Sequence, residues 1–92
     1  MATGTFAQFE RQMLAEGFDE VLARSWPADA VVAPHTHPFA VRARVVDGEM
    51  WLTLGPETRH LTIGDEFALA RDEAHAERYG PRGATYWVAR KT

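Results

Sequence analysis

The chain has 92 residues, 46% of them apolar and 25% charged, with a formal net charge of −3 and no cysteine. One soluble-type globular domain fits that length and composition, and so mild a charge leaves no electrostatic footprint for nucleic acid. Without cysteine there is no disulfide frame, thiolate metal site or cysteine nucleophile, and no apolar run approaches the roughly 20 residues that span a bilayer.

The first element reads as a helix over about residues 5–16. Thr5-Phe6-Ala7-Gln8 has the form of a capping box, in which the Thr side chain caps early amides and the Gln reaches back. Phe6, Phe9, Met13 and Leu14 recur at helical spacing, and Gly17 supplies a C-terminal stop. Such a helix covers an open end or edge of something else. After Gly17 the pattern changes to short β-branched and aromatic runs over 19–26, 30–37, 40–46, 49–54, 58–61, 66–70, 74–79 and 84–90. Turn signals separate them, among them Pro27-Ala28-Asp29, Asp47-Gly48, Gly55-Pro56, Gly64-Asp65 and Gly80-Pro81-Arg82-Gly83. Several short strands at regular spacing predict an all-β barrel or sandwich. The division is a helical segment, 1–17, packing on a barrel domain, 18–92.

The chemistry concentrates in His35 and His37. Two histidines at i and i+2 on a strand point to one face, roughly 6.5 Å apart at Cα, a spacing that suits convergence on one metal ion or one ligand. His75 opens the seventh run. His60 lies near a turn and is expected to face solvent. Period two gives an inward set of Val31, Ala33, His35 and His37, then Val41, Ala43 and Val45, then Met50, Leu52 and Leu54, then Phe67 and Leu69. Near the C-terminus either Tyr86 and Val88 or Trp87 and Ala89 face inward, and the pattern leaves both phases open. Arg42, Arg44 and Arg90 are expected to point outward.

With these residues placed, the chain after Gly17 resembles the cupin family. That family's first motif is His-x-His, three or four residues, Glu, six residues, Gly. Here His35-Thr36-His37 and Gly48 match, while the Glu position falls on Val41. The second motif is Gly, five residues, Pro-x-Gly, two residues, His, three residues, Asn. Gly64 and His75 match, while Ala70, Asp72 and Tyr79 replace the Pro, Gly and Asn. The resemblance implies a double-stranded β-helix, or jelly-roll barrel, with a short N-terminal α-helix. It also implies a site for one divalent ion (iron, zinc, manganese or nickel) on His35, His37 and His75. Some cupins use three histidines without the Glu for iron-dependent oxygenation. Glu77 shares the face of His75 by period two and is a candidate fourth ligand; the alternative is pairing with Arg42 or with an arginine of a neighbouring chain.

The pocket before the ion is expected to be lined by Val41, Met50, Phe67 and Tyr79. If the chain is an enzyme, the resemblance implies oxygenation or isomerisation of a small organic molecule, with the metal as Lewis acid or oxygen-binding centre. The alternatives are a non-catalytic module that binds or senses a small molecule, and a structural dimer in which the histidines survive as neutral, hydrogen-bonded barrel residues. Trp26, Trp51 and Trp87 fit either a stacking platform or core and interface packing. A chain this short buries about two thirds of its unfolded surface or less, so a homodimer is expected. No signal-peptide pattern opens the sequence, so the expected compartment is cytoplasmic, with no membrane or nucleic-acid partner.

Overall fold

Two long strands organise the molecule. In a computed structural model that describes residues 3–92, β3 (Ala40–Leu54) and β6 (His75–Lys91) pair antiparallel along most of their lengths. The C-terminal half of β6 also pairs with β1 (Glu20–Trp26), and its N-terminal half with β2 (Val31–His35). The first half of β3 pairs with β5 (Glu66–Leu69), and its second half with β4 (Glu57–Thr62). The strands therefore form two layers, β1-β6-β3-β5 and β2-β6-β3-β4, with β3 and β6 passing through both. Their facing sides enclose Val41, Ala43, Val45, Met50, Leu52 and Phe67, all buried. This is the jelly-roll arrangement expected of the sequence.

Sequence reading breaks β3 at Asp47-Gly48 and β6 at 80–83, but neither break exists. The chain bends there instead of reversing, with register shifts between Val45 and Asp47 and between Gly48 and Met50. The glycines serve close strand approach. A Cβ on Gly48, at φ +71°, would stand 2.1 Å from the Gly83 carbonyl oxygen, and one on Gly83, at φ +70°, would stand 2.2 Å from the Trp26 carbonyl oxygen. Only a residue without a side chain fits both the space and the left-handed backbone.

The helix α1 (Phe6–Ala15) begins with the expected capping box: Gln8 N–H donates to Thr5 Oγ1, and Thr5 N–H donates to Gln8 Oε1. It lies over the edge strand β1 and its neighbour β6. Phe9 and Met13 are buried against Ala89, with Phe18, Val21 and Trp87 around them, on the outer face of β1 and β6. Each such burial contributes about 1.5–3 kcal/mol. Leu14 lies off this stripe and is 49% exposed. The open phase at the C-terminus is thereby decided: Trp87 and Ala89 face the helix, whereas Tyr86 and Val88 belong to the interior. No helix among the described residues is long and apolar enough to cross a membrane.

Candidate metal centre

The histidines sit where β2 meets the start of β6. His35 and His75 are cross-strand partners in register. His37 lies two residues past the end of β2 and is positioned by the loop rather than by strand pleating. Its backbone is held there because Asp72 N–H donates to the His37 carbonyl across 2.8 Å. The expected inward phase of β2 fails at its beginning. Val31 is 74% exposed, while Val32 packs against the core. A bulge between Val32 and His35 changes the phase, so that residues three apart both turn inward. Pro34, with no N–H to give the ladder, lies inside that irregularity.

All three rings converge. Centroids are 4.2 Å apart for His35 and His75, 4.7 Å for His35 and His37, and 5.1 Å for His37 and His75. One donor nitrogen from each ring lies within 4.8 Å of the other two. Nitrogens sharing an ion at about 2.1 Å are at most about 4.2 Å apart, so ring rotations of roughly an ångström bring this set to bonding distance.

The tautomers are suited to the task. His35 Nδ1 lies 2.8 Å from the Ala33 carbonyl oxygen, and His75 Nδ1 lies 3.0 Å from that of Glu73. A carbonyl only accepts, so each Nδ1 carries the proton and each Nε2 keeps its lone pair free, the usual outer support of a metal-binding imidazole. His37 has its pKa lowered, first by burial, then by the neighbouring His35 and His75 imidazoles. It is thus biased toward the neutral form that binds a cation. The residues present fit a divalent ion.

Glu77 points inward, 7% exposed, but lies outside the converging set. Its Oε2 is 3.7 Å from His35 Nε2, and its Oε1 accepts a 2.9 Å hydrogen bond from the Tyr79 hydroxyl. It makes no pair with Arg42, which binds Glu16 and Glu66 on the outer surface.

Beside the rings opens a cavity of about 120 Å³. Val41 and Phe67 line it as expected, joined by Leu69 and Val88. Met50 and Tyr79 do not. They are cross-strand partners deeper in the barrel, 0% and 1% exposed, and it is Trp26, stacked on Tyr79 at 5.2 Å, that fronts the cavity. Trp26 Nε1–H donates to the Tyr86 hydroxyl across 3.0 Å, which fixes the indole. Burial pushes the phenol of Tyr79 well above its ordinary pKa and raises that of Tyr86.

Arg24, Phe39 and Arg90 of the cavity escape the sequence reading, and of the two roles left open for Trp26 the structure places it at the cavity wall. The signal for Arg24 and Trp26 is present, since Leu22, Arg24 and Trp26 alternate along one face of a strand. Arg90 was expected outside, but it follows the phase of Tyr86 and Val88 and lies over the Phe39 ring at 4.9 Å. His60 is on the surface, stacked on Trp51 and bonded through Nε2 to Glu49 at 2.7 Å. Trp87 packs against the helix residues Phe6 and Phe9.

No protein-family model matches the chain. No curated protein matches it by sequence. Solved structures do match. KdgF from a Halomonas species superposes with a TM-score of 0.67 at 23% identity, over 78% of this chain and 68% of that one. The DMSP lyase DddQ from Ruegeria pomeroyi gives 0.72 at 23% identity, over 78% of this chain and 37% of the lyase. An RmlC-like cupin from Shewanella frigidimarina gives 0.66 at 21% identity, over 79% of this chain and 68% of that one. The chain thus spans about two thirds of the first and third proteins and little more than a third of the lyase. With two layers sharing their longest strands and these neighbours in shape, the chain has the cupin fold, a double-stranded β-helix.

Proposed function

We propose that the protein binds one divalent metal ion through His35, His37 and His75 and presents it to a small organic molecule in the adjoining cavity. The observation that carries this is the convergence of three imidazoles, two of them locked with Nε2 free. The ion, drawn from iron, zinc, manganese and nickel, would supply Lewis acidity or a redox centre for oxygenation or isomerisation. The protein's own residues provide the rest. Ala33 and Glu73 carbonyls fix the ligand rings, and Phe67, Leu69 and Val88 give the cavity a hydrocarbon wall. Glu77, beside His35, supplies the nearest carboxyl. The fold neighbours include a DMSP lyase, so this architecture carries catalysis elsewhere.

Metal analysis of protein purified without a histidine tag tests the reading. About one equivalent of ion, lost in His37→Ala, is the expected result. Metal content unchanged by that substitution rejects the site. Turnover of a panel of small organic substrates, with and without Fe(II) and oxygen, then separates an enzyme from a module that only binds its ligand.

A further inference from the structure

The structure assigns to Arg24 the recognition of a carboxylate on the molecule that occupies the histidine cavity. The inference rests on the reading of that cavity as the ligand pocket of a metal centre. Arg24 lines the cavity, and its guanidinium carbon lies 5.0 Å from the centre of the Trp26 ring. Stacking on an indole holds the guanidinium plane while leaving its N–H edge available for a carboxylate fork. Trp26 is itself fixed by Tyr86, so the seat is preorganised.

The charges point the same way. The second cationic lining residue, Arg90, is answered by Glu20 at 3.1 Å, whereas Arg24 makes no ion pair among the described residues. Glu77 is the sole carboxyl in the lining, and its oxygens are directed to Tyr79 and His35. The imidazoles add no negative charge. Arg24 is thus the cation of the lining left without an ion-pair partner among the described residues, and a divalent ion on the histidines would add positive charge that an anionic ligand offsets.

Size and polarity narrow the class. The volume of about 120 Å³ equals the liquid share of about four waters. Val41, Phe67, Leu69 and Val88 offer hydrocarbon only. A short monocarboxylic acid with an apolar body fits this volume, this hydrocarbon wall and the Arg24 guanidinium together.

Isobutyrate and its uncharged isostere isobutyramide are the probes. Both are titrated by NMR into metal-free and zinc-supplemented protein, with the Trp26 indole N–H among the signals followed. The expected result is isobutyrate binding at least about tenfold tighter than the amide, the scale of one charge-assisted hydrogen bond. Arg24→Gln should erase that preference in both preparations, and Arg24→Lys should keep part of it. Equal affinity for the two probes, binding of neither, or a preference that survives Arg24→Gln overturns the inference. A protein that takes up zinc but shows no carboxylate preference sinks this inference alone. One that prefers isobutyrate through Arg24 but takes up no metal sinks the metal reading and supports Arg24.

Discussion

Tyr79 donates its phenolic hydrogen to Glu77 Oε1 across 2.9 Å inside the barrel, with both residues buried. The bond joins a core side chain to the carboxyl nearest the histidines. Tyr79→Phe removes the donor and leaves a buried oxygen without its partner, which costs about 1–3 kcal/mol. Denaturant unfolding should register a loss of that size. An unchanged midpoint would mean that water replaces the phenol.

Tyr79 and Tyr86 are the chain's two tyrosines, and both resist ionisation in the folded state, chiefly through burial. Their raised pKa keeps the protonated form in the native protein, while the unfolded chain ionises near 10. Stability therefore falls as pH rises above 10. Absorbance at the phenolate band should stay flat through the usual tyrosine range and then rise together with loss of the β-sheet circular dichroism signal. Smooth ionisation of one tyrosine before unfolding contradicts this.

His37 carries a lowered pKa in the folded metal-free protein. The unfolded chain takes up a proton near 6.5 before the folded chain does, so stability declines as pH falls through that value. His37→Gln should flatten the decline, as followed by thermal unfolding at several pH values. Zinc affinity should also weaken below about pH 6, because protonated imidazole has no lone pair to give. Affinity constant from pH 8 to pH 5 would contradict a three-imidazole site.

Gly48→Ala should be among the most damaging single changes on the scaffold. Its Cβ would meet the Gly83 carbonyl oxygen at 2.1 Å and Ala84 Cα at 2.8 Å, on a left-handed backbone. Backbone atoms cannot step aside as a flexible side chain can, and a loss above about 3 kcal/mol follows. Gly55→Ala is the control. Its φ is +57°, but nothing lies within 4 Å, so only the backbone penalty of about 1–2 kcal/mol applies. Similar losses at the two positions would remove steric contact as the cause.

Local signals fared unequally in the sequence. The capping box at Thr5 and Gln8 was legible because every atom it uses lies within four residues. The histidine pair was legible through its spacing and the all-β class through short strands and turn residues, while the jelly roll and the joining of His75 to the pair came from the resemblance of the two motifs to the cupins. The bends at Gly48 and Gly83 were not legible, because a glycine that reverses the chain and one that lets two strands touch are the same letter. The phase of β2 was hidden by its bulge, which makes Val32 and His35 share a side against period two. Arg24 was passed over because a charged residue in a strand reads as solvent-facing. Only the fold reveals that Trp26 props its guanidinium at the cavity wall.

The passage of β3 and β6 through both layers has a mechanical consequence. A sandwich of two separate sheets can slide or splay along the plane between them. Here each layer is laced to the other by uninterrupted backbone, and His75 opens one of those laces while Val41 and Val88 lie along them. Any parting of the layers must bend or break the β3–β6 ladder, so the cavity walls that these two strands supply are held at a set spacing by the weave of the chain.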